Sequence, residues 1–371
     1  MLTGNILTPA GWRHGRIEIE AGRIVALDLI EAGPVDPSRN DAPYILPGFI
    51  DLHVHGGGGA DTMEGGEAAV TMARLHARYG TTSLLATTMT APRHTLRAVL
   101  VELGEIARER PTGAARMLGV HLEGPYISPS KLGAQPPEAI VAVLDEVLDY
   151  LSIAPIKVVT LAPEISGHPR IIAELTARGV RVQIGHTLGS YDEGVNALRH
   201  GASGFTHLFN AMSGLHHREP GMVGAALAHA DYAELIPDLL HVHPGAIRAA
   251  LRAIPNLYCV TDSTAAAGMP DGEYRLGSQG VVKCLGAVRL SDGTLAGSTL
   301  TMDKALRNLV SLGLPLADVS NRLSRHAADY LGITDRGRIE VGAWADLVLL
   351  DRALALQMTY VEGEEIVVEY A

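Results

Sequence analysis

Eight short apolar runs, most of them closed by polar residues and separated by helix-like stretches, limit this chain to a small set of folds. They are Tyr44–His55, Thr82–Thr87, Met117–Glu123, Lys157–Ala162, Val180–His186, Gly204–Phe209, Glu234–His241 and Leu257–Asp262. Helical periodicity lies between several of them, over Ala68–Tyr79, His94–Arg110 and His168–Arg178. Buried strands alternating with helices are the pattern of parallel β/α architecture. Eight units suit a closed barrel, with a doubly wound open sheet as the alternative. The ends read differently. Asn5–Thr8, Arg16–Glu20 and Arg23–Leu27 at the start, and 337–342, 345–350, 358–363 and 365–370 near the end, are strand-like. The expected organisation is therefore a small sheet domain from residues 1–45 plus 336–371, around a barrel over 46–335.

Composition narrows the function. The 371 residues carry 30 basic and 41 acidic side chains, a net charge of −11. That balance gives no general reason to bind nucleic acid or an anionic membrane. Apolar residues make up 47% of the chain, enough for a large core and too many for extended disorder. No apolar run approaches the roughly 18 residues of a bilayer span, and Met1–Asn5 has no signal-peptide character. Two cysteines, Cys259 and Cys284, cannot form a disulfide framework and point to a reducing cytoplasm. Gly56–Gly59 lacks the Gly-Lys-Ser/Thr ending of a phosphate loop.

Chemistry gathers at the strand ends, which in a barrel converge on one face. Strand one ends His53-Val-His55, strand three His121-Leu-Glu123, and strand five Gly185-His186-Thr187. Strand six holds Thr206-His207-Leu-Phe-Asn210-Ala211, strand seven reaches His241, and strand eight closes on Thr261-Asp262-Ser263. A lone histidine such as His76, His94 or His168 is more often a helix-face or loop residue. Several at successive strand ends, with a Glu and an Asp, point to a divalent metal. Glu123, His186 and His207 make a three-ligand set with one position open. His53 and His55, two apart on a strand, face one side and can hold a second ion bridged by Glu123. Asp262 is the candidate proton carrier, its alternative role being a helix N-cap. His216-His217-Arg218 and His241-Val-His243, basic in an acidic chain, suit a phosphate.

These motifs together resemble the amidohydrolase superfamily and, within it, the N-acetylglucosamine-6-phosphate deacetylase family. The resemblance runs from Leu46-Pro-Gly-Phe-Ile-Asp51-Leu-His53-Val-His55 through the strand ends above to Arg218-Glu-Pro-Gly221 and Leu295-Ala-Gly-Ser298. It implies a TIM-like (β/α)8 barrel with a small β-sandwich from both chain ends. It implies Glu123, His186 and His207 as principal metal ligands and Asp262 as catalytic aspartate. Ala134, Asn210, Ala211, Arg218, His241, Ala296, Gly297 and Ser298 fall at its substrate-binding positions. The implied reaction is deacetylation of N-acetyl-D-glucosamine 6-phosphate by a cytoplasmic homodimer whose neighbouring subunit helps complete the phosphate site. Zinc is the expected metal, with iron, cobalt or manganese as alternatives.

Some family members replace the strand-one histidines and carry one metal, whereas this chain keeps His53 and His55. Its Lys131-Leu-Gly-Ala-Gln135 segment departs from the family, which commonly has His at the last position. Gln135 can donate an amide N–H to an oxyanion but brings no charge and cannot shuttle a proton. Cyclic-amide members often use a carboxylated lysine late in strand four; Lys157 stands at the start of that strand, and Glu123 offers the bridge instead. A barrel that had lost its chemistry should lack a ligand or the carboxylate, and all are present.

Overall fold

The computed structural model describes residues 1–30, 33–137 and 141–368. Its centre is a curled parallel sheet of eight strands: β1 (Phe49–Val54), β2 (Thr81–Thr87), β3 (Arg116–Glu123), β4 (Ile156–Leu161), β5 (Arg181–Ile184), β6 (Gly204–Phe205), β7 (Glu234–Leu235) and β8 (Tyr258–Cys259). Strands β1 to β6 pair in sequence, and β7 pairs with β8. Main-chain hydrogen bonds complete the ring. Leu208 N–H donates to Glu234 O at 2.9 Å, and Asp262 N–H donates to His53 O at 2.9 Å.

Each strand is followed by a helix: α1 (Gly66–Arg78), α2 (Arg93–Arg108), α3 (Leu144–Ile153), α4 (His168–Ala177), α5 (Tyr191–Arg199), α6 (Gly221–His229), α7 (Pro244–Ala253) and α8 (Met302–Ser311). Local sequence explains several starts. Ser190 and Glu193 form a capping box at α5, and Pro244 opens α7 behind the His243 cap. One face of α1, carrying Ala69, Met72, Ala73 and Ala77, is buried in the main apolar core. Between β8 and α8 a three-stranded antiparallel insertion spans Gly272–Leu276, Gln279–Cys284 and Ala287–Arg289.

The chain ends build a separate seven-stranded sheet containing Leu2–Thr8, Gly11–Glu20, Arg23–Leu29, Tyr44–Pro47, Leu347–Leu350, Leu356–Val361 and Glu364–Ile366. Ile6, Ile17, Ile24, Ile45 and Leu347 pack there with Ile339 in a second apolar cluster. The fold is thus the TIM-like barrel with a small domain from both ends. Glu362 ties the two together, accepting from Arg116 Nε at 2.8 Å and Arg110 Nε at 3.1 Å, and pairing with Arg336.

Several sequence expectations change, three of them in the end sheet and its junction with the barrel. Tyr44–His55 is two strands, one in each sheet, broken at Gly48. Residues 337–342 form no strand, although Ile339 is buried; the segment is bent around Gly337 and Gly342, both with positive φ. The strand expected over 365–370 ends at Ile366, and its last two positions lie outside the described residues.

Candidate active site and metal centre

The C-terminal ends of the barrel strands converge as the sequence suggests. Glu123, at the end of β3, is the hub. Its Oε1 lies 3.2 Å from His186 Nε2 and 3.1 Å from His207 Nε2, and its Oε2 lies 3.2 Å from His55 Nε2 and 3.6 Å from His53 Nε2. Two compact ligand sets, Glu123/His186/His207 and His53/His55/Glu123, therefore share one carboxylate.

Hydrogen bonds behind the rings determine what faces inward. His186 Nδ1 donates to Lys131 O at 2.8 Å, which leaves its Nε2 lone pair on the cluster, 3.1 Å from His207 Nε2. His53 Nδ1 donates to Glu234 Oε2 at 2.9 Å, which leaves its Nε2 facing His55 Nε2 at 3.1 Å. Converging imidazole lone pairs against a buried carboxylate repel one another unless a cation sits between them, so the donor set fits divalent metal. A third grouping, His53/His121/Glu234, is joined internally by the hydrogen bond from His53 to Glu234. His121 spends Nδ1 on Leu52 O at 3.1 Å and bonds Thr160 Oγ1 through Nε2 at 2.7 Å. Burial, reinforced by the nearby His53, pushes His121 down to about 4, so it is neutral.

Asp262 completes the cluster, with Oδ1 3.4 Å from His53 Nε2 and 3.3 Å from His55 Nε2. Burial alone would raise its carboxyl, but His53 and His55 outweigh that and bring it down to about 2. Burial opposes the charge on His55 as well, yet Asp262 and Glu123 carry it up to about 9. The carboxylates and imidazoles of the site thus offset one another's charge. Its main chain is unusual: His186, His207, Ala211 and Asp262 have φ of 47°, 30°, 49° and 50°. Left-handed non-glycine residues cost energy and gather where side chains must be aimed.

A cavity of about 440 Å³ opens onto this cluster. Its lining brings together His55, Glu123, His186, His207, Asp262, Ala134, Gln135, Asn210, Ala211, His241 and Gly297. His53 is fully buried behind it. Gln135 Nε2 donates to Glu123 Oε2 at 2.7 Å while its Oε1 accepts from Thr90 N–H at 2.7 Å, so the amide braces the hub carboxylate. Ala296 and Ser298 are buried outside the lining, and Ser298 N–H donates to Asp262 O at 2.7 Å. Gly297 between them has φ +63°, and a Cβ there would meet Thr264 Cγ2 at 2.6 Å and Asp262 O at 2.9 Å. The segment holds the Asp262 backbone from the side.

The two basic stretches separate. His241 enters the cavity with Nδ1 on Asp238 Oδ2 at 2.6 Å, whereas His243 caps α7 by accepting from Gly245 N–H at 3.0 Å. Arg218 is exposed beside His217, 2.7 Å away, and does not line the cavity of its own chain. Lys157 is exposed at the start of β4, away from the strand ends that carry the ligands. Glu234, Lys131 through its carbonyl, and Asp238 were not singled out from sequence. The one available signal was a glutamate opening the apolar run Leu235-Ile236.

A parallel β/α barrel with two imidazole sets joined by a carboxylate at its C-terminal mouth defines the class of metal-dependent hydrolases. The chain belongs to the amidohydrolase family, whose profile matches residues 44–367. It is 39% identical over 369 residues to an N-acetylgalactosamine-6-phosphate deacetylase of Escherichia coli O157:H7, covering 97% of each chain. It is 41% identical over 367 residues to an N-acetylglucosamine-6-phosphate deacetylase of Bacillus subtilis (strain 168), covering 95% of this chain and 92% of that one. A mutant N-acetyl-D-glucosamine-6-phosphate deacetylase of Mycobacterium smegmatis, solved in complex with N-acetyl-D-glucosamine-6-phosphate, superposes with a TM-score of 0.89 at 32% identity, covering 98% of both chains.

Proposed function

We propose that this chain hydrolyses the acetamido group of N-acetyl-D-glucosamine 6-phosphate, giving D-glucosamine 6-phosphate and acetate. One observation carries the reading. Two ligand sets joined by Glu123, with Asp262 against them, open into the cavity that also holds Asn210, Ala211 and His241. Similarity along nearly the whole chain to deacetylases of such sugars supports the substrate class.

Glu123, His186 and His207 would hold one divalent cation, zinc by preference, and His53 and His55 with Glu123 a second. A cation there supplies Lewis acidity toward the acetyl carbonyl and lowers the pKa of water to about 7. Asp262 takes a proton from the attacking water and delivers it to the nitrogen as the C–N bond breaks, so acetate and the free amine leave with protons balanced. Gln135 spends one amide hydrogen on Glu123 and offers the other to the oxyanion. His241, with Asp238 behind it, and the main chain near Ala211 hold the sugar phosphate. Arg218 reaches the phosphate of a partner copy in a homodimer, a reading supported by its exposure outside its own cavity.

Two folding units, 1–45 plus 336–371 and 46–335, accompany this assignment, supported by the apolar cluster of Ile6, Ile17, Ile24, Ile45, Ile339, Ala345 and Leu347 drawn from both chain ends. Among the described residues no helix is long and apolar enough to cross a membrane, and we place the enzyme in the cytoplasm, in amino-sugar catabolism or recycling. The 4-epimer, N-acetylgalactosamine 6-phosphate, is the second reading, favoured by the Escherichia coli relative. The test is release of acetate and primary amine in equal amounts from N-acetyl-D-glucosamine 6-phosphate. Release should stop with a chelator and resume with zinc. Ring opening of a cyclic amide without acetate release would move the chain to another branch of the family.

A further inference from the structure

We infer that Glu234 is the positioning residue that decides whether this chain holds one metal ion or two. The inference rests on the two-ion reading of the site. Glu234 opens β7 and is 0% exposed, so its carboxylate must be compensated by donors in the interior. Oε2 accepts from His53 Nδ1 at 2.9 Å and from the main-chain N–H of His207 at 3.1 Å, and Oε1 accepts from Tyr258 OH at 3.4 Å. One buried carboxylate thus touches a residue of each of the two ligand sets that share Glu123 while lying outside both sets and outside the cavity lining.

Its effect on the two sets is unequal. The first set has a brace of its own, Lys131 O on the His186 ring, while Gln135 holds the Glu123 carboxylate that both sets share. Among the described residues His55 Nδ1 in the second set and His207 Nδ1 in the first are both buried without a hydrogen-bond partner, but Glu234 holds the ring of His53 in the second set and only the main chain of His207 in the first. The orientation of that set therefore falls on His53, and His53 is fixed by Glu234. A carboxylate only accepts, so it demands hydrogen on Nδ1 and leaves Nε2 bare toward Glu123 and His55. Without it His53 can adopt the other tautomer and point a hydrogen at the ion. Partners of this kind behind a ligand are typically worth about 10- to 100-fold in metal affinity.

The experiment counts metal in the purified full-length chain by elemental analysis, then titrates chelator-stripped protein with Zn²⁺, for wild type, Glu234→Ala and Glu234→Gln. Wild type is expected to bind two equivalents. Glu234→Ala is expected to keep the first and to bind the second about 10- to 100-fold more weakly. Glu234→Gln is expected to recover most of that loss, because its carbonyl oxygen can accept from both His53 and His207. Two tight equivalents in Glu234→Ala would overturn the role of Glu234 and leave the two-ion reading intact. Parallel loss of both ions in Glu234→Ala and Glu234→Gln would also overturn it, making the residue a general support. A wild type that saturates at one equivalent would overturn the two-ion reading itself.

Discussion

Asp262, the proposed proton carrier, lines the cavity and stands 3.3 Å from His55 Nε2. Asp262→Asn keeps the size and one acceptor but cannot take the proton. We expect it to retain its metal and to lose about 10²- to 10⁴-fold in kcat. Elemental analysis beside acetate-release kinetics checks this, and near wild-type turnover would remove Asp262 from the chemistry. At this scale the cluster of candidate ligands was legible because strand alternation puts His53 and His55 on one side and because the other candidates end successive strands. Glu234 was hidden. Whether a glutamate beside Leu235-Ile236 faces solvent or the lumen depends on His53, 181 positions away. Nor does residue type announce the left-handed backbone at His186, His207 and Asp262, since these are not glycines.

Among elements, the later barrel strands are far shorter than their apolar runs. Gly204–Phe209 pairs only over two residues, and Glu234–His241 only over Glu234–Leu235. The chain leaves β6 through left-handed His207 and Phe209, and beyond β7 it turns at left-handed Leu239. The hydrophobic pattern records burial, and Thr206–Leu208, Ile236 and Pro237 are buried outside any strand. The Leu239 turn aims His241, whose main-chain N–H and ring both donate to Asp238. Burial pulls the His241 imidazolium down, but Asp238 more than compensates and raises it; Asp262 adds to the rise, and Arg289 opposes it. A protonated His241 favours a phosphate, so substrate binding should weaken as pH rises through its raised pKa. Asp238→Asn removes the charge that raises it. The KM rise should then begin at lower pH, with kcat moving much less, as a KM profile across pH would register. Superimposable profiles would mean that His241 does not bind the phosphate as a cation.

Across the whole molecule, the junction between end sheet and barrel runs through Glu362 and its arginines. Burial would raise this carboxyl, but Arg116 and Arg336 outweigh it and hold it at about 2, against an ordinary 4.5. A depressed folded-state pKa gives stability that is present above about 4.5 and is lost as pH falls toward 2. Wild type should therefore lose more Tm than Glu362→Gln across that window, while a constant difference between them would deny the junction this role. Arg218→Ala belongs to the same scale, because its proposed target lies in a partner copy. We expect KM for the 6-phosphate to rise about ten- to a hundred-fold, with kcat changing less. Equal losses on the unphosphorylated sugar would make Arg218 structural.

The central claim is metal-dependent deacetylation of a 6-phosphorylated N-acetyl hexosamine. Its most direct test is acetate release by metal-quantified protein from N-acetyl-D-glucosamine 6-phosphate, its 4-epimer and the unphosphorylated sugar. The account predicts the highest kcat/KM for N-acetyl-D-glucosamine 6-phosphate and a loss of about ten- to a hundred-fold when the phosphate, and with it the charge-assisted contact, is missing. An enzyme that prefers the unphosphorylated sugar, or that releases acetate equally well without metal, would contradict it.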